Sequence, residues 1–280
     1  MPWKYTEEYY REYTRTTWNE SAEAYLDFMR NLEPFRAVLV ARLRAREGEA
    51  VLDLGTGPGE PAFTIAGQVG DRGRVVGVDL SEKMISIAQR IAVAQSVSNA
   101  EFRVMDCSAL EFDGAVFDAV TSSFGFQIFP DPEKAAREAF RVLRPGGRLA
   151  VSVWSTGDKV PFLHAFVGPM LKHAEPDETG YIPTPYELGA PGEMVSFLEN
   201  AGFGGAREER VSHMMQFENE DRYLESLLKA TPLGHSLSEE SPEVQAEVLR
   251  DTRLNLQQWK SNGRLALPGE CVFVTAIKSG

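Results

Sequence analysis

Short apolar runs alternate with amphipathic segments through the middle of the chain, from about residue 48 to residue 154. Such runs are typical of strands buried on both faces of a sheet, and the segments between them repeat apolar positions at helical spacing. The pattern therefore predicts a doubly wound α/β fold with a mostly parallel sheet. Its first five strands are predicted at 51–54, 74–79, 101–105, 117–123 and in the segment that follows Gly147.

The same pattern divides the chain into core segments and additions. A sixth strand is predicted near Ala206–Phe217, after a helix from Glu193 to Ala201, and the final strand at Cys271–Ile277 makes seven. In chain order the segments are 1–46 (N-terminal helices), 47–154 (core), 155–192 (insertion), 193–218 (core continuation), 219–264 (helical insertion, predicted to form a lid) and 265–280 (final core strand).

The additions carry apolar residues at helical spacing. In the N-terminal segment, Pro34 predicts a break between helices. Tyr13, Trp18 and Tyr25 in this segment could close a pocket, or they could simply pack on the sheet. In the lid insertion, two apolar rows are predicted, one containing Tyr223, Leu224, Leu227 and Leu228 and the other containing Leu249, Leu254, Leu256 and Trp259.

The strongest chemical signal is segment 51–59, Val-Leu-Asp-Leu-Gly-Thr-Gly-Pro-Gly. Glycines at alternate positions after a buried strand allow a tight turn where a ligand must approach the backbone. Dinucleotide-binding folds use Gly-x-Gly-x-x-Gly and rest a pyrophosphate on the next helix. Here the third glycine comes one residue early, and Glu60 at the helix start would repel a pyrophosphate but tolerate a sulfonium. The spacing therefore disfavours a nicotinamide cofactor.

Asp79 ends the second predicted strand, 20 positions after Gly59. An acid at this place in a nucleotide-binding sheet can accept hydrogen bonds from both ribose hydroxyls. The alternative is that Asp79 caps the helix predicted from Glu82 to Gln95. Ser81 is the better N-cap for that helix, so the ribose role is favoured.

Taken in order, these features resemble class I S-adenosyl-L-methionine (SAM) dependent methyltransferases. The resemblance rests on the acid-x-Gly-x-Gly-x-Gly loop that begins at Asp53, on Asp79, and on Leu143-Arg-Pro-Gly-Gly before the fifth strand. The chain looks most like the ubiquinone/menaquinone-biosynthesis type (methyltransferase type 11), over about 48–154 and more loosely over 193–217 and the last strand. The resemblance implies a Rossmann-like seven-stranded fold, SAM as cofactor and methyl transfer to a small molecule.

The resemblance also implies which residues hold SAM, all near the carboxyl ends of strands. Leu80 and Met84 would lie against the adenine, although core packing explains Met84 equally well. Asp106 and Cys107 would meet the edge of the adenine, unless Asp106 is a turn aspartate that caps its own loop. The predicted cofactor site comprises Asp53, Gly55, Thr56, Gly57, Gly59, Asp79, Leu80, Met84, Asp106, Cys107, Ser122, Ser123 and Phe124.

A sulfonium methyl group is already activated, so the enzyme mainly has to hold donor and acceptor in line and away from water. A base would help if the acceptor is a hydroxyl, a phenol or an enolisable carbon. His164, His213 and His235 are the candidate bases, although a lone histidine is more often a packing or surface residue. Gln127 could orient the acceptor by hydrogen bonding. Whether carbon, oxygen or nitrogen is methylated is left open.

Charge and composition narrow the partners. The net charge of −12 argues against a nucleic-acid substrate, because phosphate binding needs a large basic surface, and it favours a small-molecule acceptor. No apolar run is long enough for a membrane span or a secretory segment, and the chain has two cysteines, so a cytoplasmic location is expected. The four histidines lie far apart in the sequence, so no metal is expected. The oligomeric state is not predicted.

Three other functions are alternatives to methyl transfer. The glycine spacing disfavours a dehydrogenase. A serine hydrolase would need Gly-x-Ser-x-Gly, and residues 121–125 lack the first glycine. The remaining alternative is a SAM-binding protein of the same fold that transfers no methyl group, such as a cyclase, a regulator or a structural partner.

Overall fold

One mixed β-sheet with helices on both faces forms the body of the protein. The computed structural model describes residues 7–173 and 184–279. The strands are β1 (Ala50–Leu54), β2 (Arg74–Asp79), β3 (Ala100–Val104), β4 (Phe117–Ser123), β5 (Leu143–Trp154), β6 (Gly204–Phe217), β7 (Lys260–Ser261) and β8 (Arg264–Ile277). The helices are α1 (Glu7–Phe28), α2 (Glu33–Leu43), α3 (Ala62–Val69), α4 (Glu82–Ala94), α5 (Pro132–Val142), α6 (Pro161–His173), α7 (Glu193–Asn200), α8 (Glu220–Ala230), α9 (Pro232–Ser238) and α10 (Pro242–Leu256).

The strand order is β3-β2-β1-β4-β5-β8-β6, and the short β7 pairs only with β8. The first five strands of this order run parallel, whereas β8 is antiparallel to β5 and to β6. The order reverses between β1 and β4, and open sheets of this kind bind ligands in the crevice beside that reversal. The predicted fold class, a mostly parallel doubly wound sheet of seven main strands, is confirmed.

The central strands are buried on both faces. All five residues of β1 are buried, with Val51 in the apolar layer under α2, α3 and α4, and Leu52 in the layer under α5 and α7. A strand that is covered on both sides gains from an apolar residue at every position. This double cover explains why the sequence shows runs instead of an alternating pattern.

Several predicted boundaries agree with the structure. β4 spans the predicted residues 117–123, and α4 begins after Ser81, whose hydroxyl accepts a hydrogen bond from the backbone N–H of Met84 at 3.1 Å. The Pro-Gly-Gly turn is placed differently. β5 already begins at Leu143, the turn loops out of the ladder, and pairing with β4 resumes at Arg148.

The helical additions agree in their main features and differ in one row. The N-terminal break falls at Met29–Leu32, a short 3₁₀ turn, and Pro34 lies in the first turn of α2. Tyr223 and Leu227 are buried as predicted, whereas Leu254 is 64% exposed. The prediction for Leu254 was wrong because the buried residues of α10 are Val248, Thr252 and Leu256, a face that keeps Leu256 of the predicted row and leaves Leu254 outside.

The β6–β8 ribbon extends beyond the rest of the sheet. β5 pairs with β8 only as far as Trp154 opposite Cys271, whereas β6 and β8 stay paired up to Phe217 opposite Leu265. The extension leaves from the carboxyl end of β5, so it carries the helical insertion toward the crevice. Within residues 7–173 and 184–279, none of the helices is long and apolar enough to cross a membrane.

Candidate functional site

The loop after β1 is shaped by glycines and supported from below by Asp53. Gly57 and Gly59 have φ angles of 55° and 109°, a region that favours glycine, and a Cβ at Gly59 would collide with the ring of Phe63. Asp53 is fully buried and accepts a hydrogen bond from Thr56 Oγ1 at 2.7 Å. Burial raises the pKa of Asp53 to about 8. This carboxyl group therefore holds the turn together from inside the protein.

Asp79 joins the glycine loop to the start of α4. Its Oδ2 accepts a hydrogen bond from Gly57 N, and its Oδ1 accepts one from Ser81 N, both at 2.9 Å. Burial raises the pKa of Asp79, and these backbone N–H groups act in the opposite direction. Each carboxylate oxygen can accept a second hydrogen bond, so Asp79 can hold the loop and still receive a ligand hydroxyl.

Asp106 lies between its own loop and helix α1. Its Oδ1 accepts hydrogen bonds from Ser108 N at 2.8 Å and Ser108 Oγ at 2.7 Å, and its Oδ2 accepts one from Arg11 Nε at 2.6 Å. Burial alone would raise the pKa of Asp106, but the hydrogen bonds from Ser108 and Arg11 outweigh it and lower the pKa. The loop-capping role and the ligand-facing position thus occur together. The neighbouring Cys107 is buried, and burial raises the pKa of its thiol.

A cavity of about 220 Å³ opens at the carboxyl ends of β1, β2 and β4. The predicted cofactor residues that line it are Gly55, Gly57, Asp79, Leu80, Met84, Asp106, Cys107, Ser123 and Phe124. The other four predicted cofactor residues do not line the cavity and lie behind the lining residues. They are Asp53, Thr56, Gly59 and Ser122. Ser122 Oγ donates to the carbonyl oxygen of Leu54 at 2.8 Å, so it joins β4 to the end of β1.

The rest of the cavity wall is apolar and rich in aromatic rings. It comes from α1, the turn after β4, the end of β5, α6 and α9. These lining residues are Thr14, Trp18, Tyr25, Phe28, Leu32, Gly125, Gln127, Ile128, Phe129, Pro130, Trp154, Phe162, Leu163, Pro185, Thr231, Pro232 and Leu233. Among the lining residues that the structure describes, there is no arginine, lysine or histidine.

Helix α1 covers the crevice, with Trp18 and Tyr25 on the cavity wall. Burial raises the pKa of Tyr25 to about 12, so its hydroxyl is protonated at neutral pH. Asn19 docks the helix on α4, since its Oδ1 accepts hydrogen bonds from Ser81 Oγ at 2.6 Å and Lys83 N at 3.0 Å. Tyr13 does not line this cavity, and its hydroxyl hydrogen-bonds Ser236 of α9 at 2.7 Å.

Gln127 is a polar, uncharged side chain that lines the apolar part of the wall from the turn after β4. Its Oε1 accepts a hydrogen bond from Trp154 N at 2.8 Å, which fixes the side-chain amide against the end of β5. Its Nε2 has no hydrogen-bond partner in the described part of the chain, so two N–H donors remain for a ligand.

The structure places the three predicted histidine bases outside the cavity. His164 lies in a separate surface groove between α6 and α10, with its ring 5.8 Å from that of Tyr186. His213 on β6 packs edge-on against Phe35 at 5.1 Å. His235 on α9 lies 3.1 Å from Glu20 Oε2. Each of the three rings thus contacts another side chain of the protein outside the cavity. Their role as bases stays a prediction.

Sequence reasoning missed the residues that connect distant elements to the site. The sequence did not point to Arg11 or Asn19 as site residues, because their partners, Asp106 and Ser81, lie more than 60 positions away in the chain. Trp154 could have been found, since it stands at the carboxyl end of the fifth strand. Phe162 and Thr231 lie in the insertions, where no motif guided the search.

The residues at the cavity fit the predicted cofactor. A bare glycine backbone, two carboxylates at neighbouring strand ends and an apolar face at Leu80 surround one space. Those groups suit a nucleoside with a cationic tail, and the absence of Arg and Lys among the described lining residues suits a sulfonium better than a phosphate. Within the same described residues, no cluster of three or more His, Cys, Asp and Glu could hold a metal ion.

Known proteins resemble this chain in sequence and in fold. The family model of the ubiE/COQ5 methyltransferase family matches residues 27–168. A ubiquinone/menaquinone biosynthesis C-methyltransferase of Klebsiella pneumoniae is 32% identical over 183 residues, which cover 64% of this chain and 70% of the relative. A demethylmenaquinone methyltransferase of Lactococcus lactis is 37% identical over 115 residues, which cover 41% of this chain and 46% of the relative.

Among solved structures, the YcgJ protein of Bacillus subtilis superimposes with a TM-score of 0.61. The match covers 89% of this chain and 99% of that protein, at 18% sequence identity. At this identity the likeness concerns the fold, which agrees with the strand order described above.

Proposed function

Since the chain belongs to the ubiE/COQ5 methyltransferase family and is a class I SAM-dependent methyltransferase, we propose that its acceptor is a small, largely apolar ring compound. The observation that carries the proposal is the cavity itself. One end of the cavity is formed by the glycine loop and two carboxylates. The rest of the cavity wall consists mainly of aromatic and aliphatic side chains. A polar donor and an apolar acceptor can thus lie side by side in one enclosed space.

The donor end has a group for each part of SAM. Asp79 is positioned for the ribose hydroxyls, Asp106 and Cys107 for the edge of the adenine, and the backbone of Gly55 and Gly57 for the amino-acid part. SAM supplies a methyl group that is already activated by its sulfonium. The protein therefore has to hold, orient and enclose.

The acceptor end is suited to an apolar ring with few polar groups. The described lining residues offer no cation for a phosphate or carboxylate, so a strongly anionic acceptor is disfavoured. The free N–H donors of Gln127 can orient a carbonyl or hydroxyl oxygen of the acceptor. The two relatives carry the names of a ubiquinone/menaquinone biosynthesis C-methyltransferase and a demethylmenaquinone methyltransferase, and these names support a quinone-like or phenolic ring as the acceptor here.

Enclosure of the reacting groups comes from the additions around the sheet. α1 covers the donor loop with Tyr25, and the start of α9 contributes Pro232 and Leu233 to the opposite side, together with Thr231 just before the helix. A hydrogen bond between Tyr13 and Ser236 joins these two helices. Exclusion of water favours transfer between bound groups over loss of the methyl group to solvent.

The charge of the chain supports this choice of partner. With a net charge of −12, the protein lacks the broad basic surface that nucleic acid requires, so a small molecule is the preferred acceptor. Both cysteines, Cys107 and Cys271, are buried and unpaired, which is compatible with a reducing compartment, and we place the protein in the cytoplasm.

The test is a product assay with SAM and a panel of naphthols, phenols, amines and carboxylates. The proposal expects release of S-adenosylhomocysteine (SAH) and a methylated product with ring compounds, and none with the carboxylates. Binding of SAM without product from any compound would favour the non-transferring alternative.

Two glycine variants control this assay. Gly57→Val should abolish SAM binding, because its φ of 55° strains any β-branched residue and the added side chain would stand where a ligand approaches the backbone of the loop. Gly48→Val introduces comparable strain at a φ of 82° with open space around it, away from the cavity. Its SAM binding should match the wild type. Loss of binding in both variants would mean that strain alone is responsible.

A further inference from the structure

Phe124 has a backbone conformation that is rare for an aromatic residue. It follows directly after β4 and has a φ of 60°, in the left-handed region that favours glycine. A bulky side chain in this region strains the backbone, and such strain persists only where surrounding structure enforces it. Glycine would relieve it, yet the glycine of this turn is the next residue, Gly125.

The surroundings of Phe124 hold it in place. Its N–H donates to the carbonyl oxygen of Ser152 at 2.9 Å, which continues the pairing of β4 with β5 by one residue. Gly125 leaves no room for a side chain, since a Cβ there would lie 2.5 Å from Cζ of Phe129 and would also collide with Ser122 Oγ. Gly125 therefore cannot carry a side chain, and the hydrogen bond to Ser152 holds the backbone of Phe124 in its left-handed conformation.

The strain secures a flat aromatic wall. The rings of Phe124 and Trp154 stack with centroids 4.3 Å apart and an interplanar angle of 26°. Phe35 packs edge-on against both rings, at 6.2 Å and 5.4 Å, and Phe162 packs against Trp154 at 4.9 Å. Phe124 and Trp154 are 7% and 5% exposed, and both line the cavity. Buried on the remaining sides, the stacked pair presents part of its surface to the cavity only.

We propose that Phe124 is a specificity-determining residue for the acceptor: with Trp154 it forms the wall against which a flat acceptor ring packs. This inference rests on the proposed function and deepens it. The Phe124 ring stacks on Trp154, and Trp154 in turn packs against Phe162. Trp154 ends β5 and Phe162 belongs to α6, and neither element carries a cofactor motif, so this group of rings lies on the acceptor side of the crevice. Phe124 thus belongs to the acceptor wall, although the motif pattern had grouped it with the cofactor residues.

A flat wall discriminates by shape. A planar ring can lie flat against the part of the aromatic pair that faces the cavity, whereas a saturated ring of the same size cannot approach so closely. The matched probes are α-naphthol and its saturated counterpart decahydro-α-naphthol, with affinities measured by calorimetry in the presence of SAH. The wild type should bind α-naphthol about tenfold more tightly than the saturated probe.

Four variants test the assignment. Phe124→Ala and Phe124→Gly both remove the ring and should lose the preference for α-naphthol while they bind SAH within about twofold of the wild type. Phe124→Tyr keeps the ring and should keep the preference. Because glycine tolerates positive φ, Phe124→Gly should melt at a higher temperature than Phe124→Ala, which retains the strain. If both truncations fail to fold, Phe124→Leu, which keeps apolar bulk without a flat ring, replaces them.

Each outcome decides the question. The proposal is overturned if the wild type shows no preference for the planar probe or no binding of it. It is likewise overturned if the preference survives loss of the ring, or if SAH affinity falls in parallel with naphthol affinity, which would assign the ring to the donor. Failure of the wild type to bind SAH would instead count against the proposed function.

Discussion

Asp79 shows how one side chain can serve both the fold and the ligand. It receives the backbone N–H groups of Gly57 and Ser81, so it shapes the loop and the helix start at once. It also reaches the cavity wall, where a ribose would lie. A substitution of Asp79 can therefore have two effects, since one that spares a ligand contact can still disturb the loop.

We expect Asp79→Ala to lower the affinity for SAM by about 1–3 kcal/mol, the range for leaving hydrogen-bonding groups without a partner. Titration calorimetry measures the effect, and circular dichroism checks that the variant is folded. Asp71→Ala, which removes an acid from the exposed turn before β2, serves as the control and should bind SAM like the wild type. An unchanged affinity in a folded Asp79→Ala protein would refute the ribose assignment.

Asp53 should make stability depend on pH. Burial raises its pKa from 3.8 to about 8, so between these values the folded state binds a proton that the unfolded state has released. The stabilisation of the folded state by protonated Asp53 is complete below the pKa of Asp53 in the unfolded state. It is lost as pH rises through the pKa of Asp53 in the folded state. Asp53→Asn cannot ionise and should gain melting temperature relative to the wild type between about pH 5 and about pH 8. A difference between the two proteins that stays constant with pH would contradict this.

At the scale of elements, α1 links the two ends of the cavity. One side of the helix reaches the donor loops through Arg11 on Asp106 and Asn19 on Ser81. The other side reaches α9 through Tyr13 and Ser236. A ligand that hydrogen-bonds Asp106 therefore affects the contact between Asp106 and Arg11, which anchors this helix.

The Arg11–Asp106 pair gives a test of that anchoring. The pair is partly buried, so we expect Arg11→Ala to weaken the docking of α1 by about 0.5–1 kcal/mol, seen as roughly two- to fivefold faster amide exchange along the helix. Arg30→Ala is the matched control, because Arg30 pairs with Asp27 in a fully solvated position. Equal exchange rates in both variants would show that the pair adds nothing to docking.

At the scale of the whole molecule, a network around Arg210 joins the segment before α7 to the far edge of the sheet. Arg210 donates to Glu208 Oε1 at 2.8 Å, to Ser155 Oγ at 2.7 Å and to the carbonyl oxygen of Gly189 at 3.0 Å. Glu208 in turn accepts the N–H of Gly192 at 3.0 Å. These bonds fix a segment that also carries Pro185 to the cavity wall.

Loss of this anchor should affect the acceptor more than the donor. We expect Arg210→Ala to lower the free energy of unfolding by about 1–3 kcal/mol, since it leaves partly buried carboxylates without their cation. KM for the acceptor should rise while SAM affinity stays close to the wild type. Arg207→Ala, an exposed position on the same strand, should change neither quantity. A parallel loss of SAM affinity would show that the network supports the whole crevice.

The fold and the glycine loop could be predicted from the sequence because the signals for both are local. The apolar runs at β1, β2 and β4 reflect burial on both faces, and the turn glycines at 55–59 reflect the backbone conformation that they adopt. Both depend on residues a few positions apart. The row predicted for α10 failed at Leu254, because helical spacing alone does not tell which face a neighbouring helix will cover.

Only the tertiary structure decided which residues line the apolar part of the cavity. The sequence by itself determined a SAM-type glycine loop with Asp79 and Asp106 at successive strand ends. It did not show that Arg11 would reach Asp106, that Phe124 would stack on Trp154, or that the three histidines would lie outside the cavity. Such contacts join residues many positions apart, and they exist only when sheet order and helix packing have brought distant segments together. The glycine loop could therefore be predicted from a motif, and the aromatic wall that we propose for the acceptor could not.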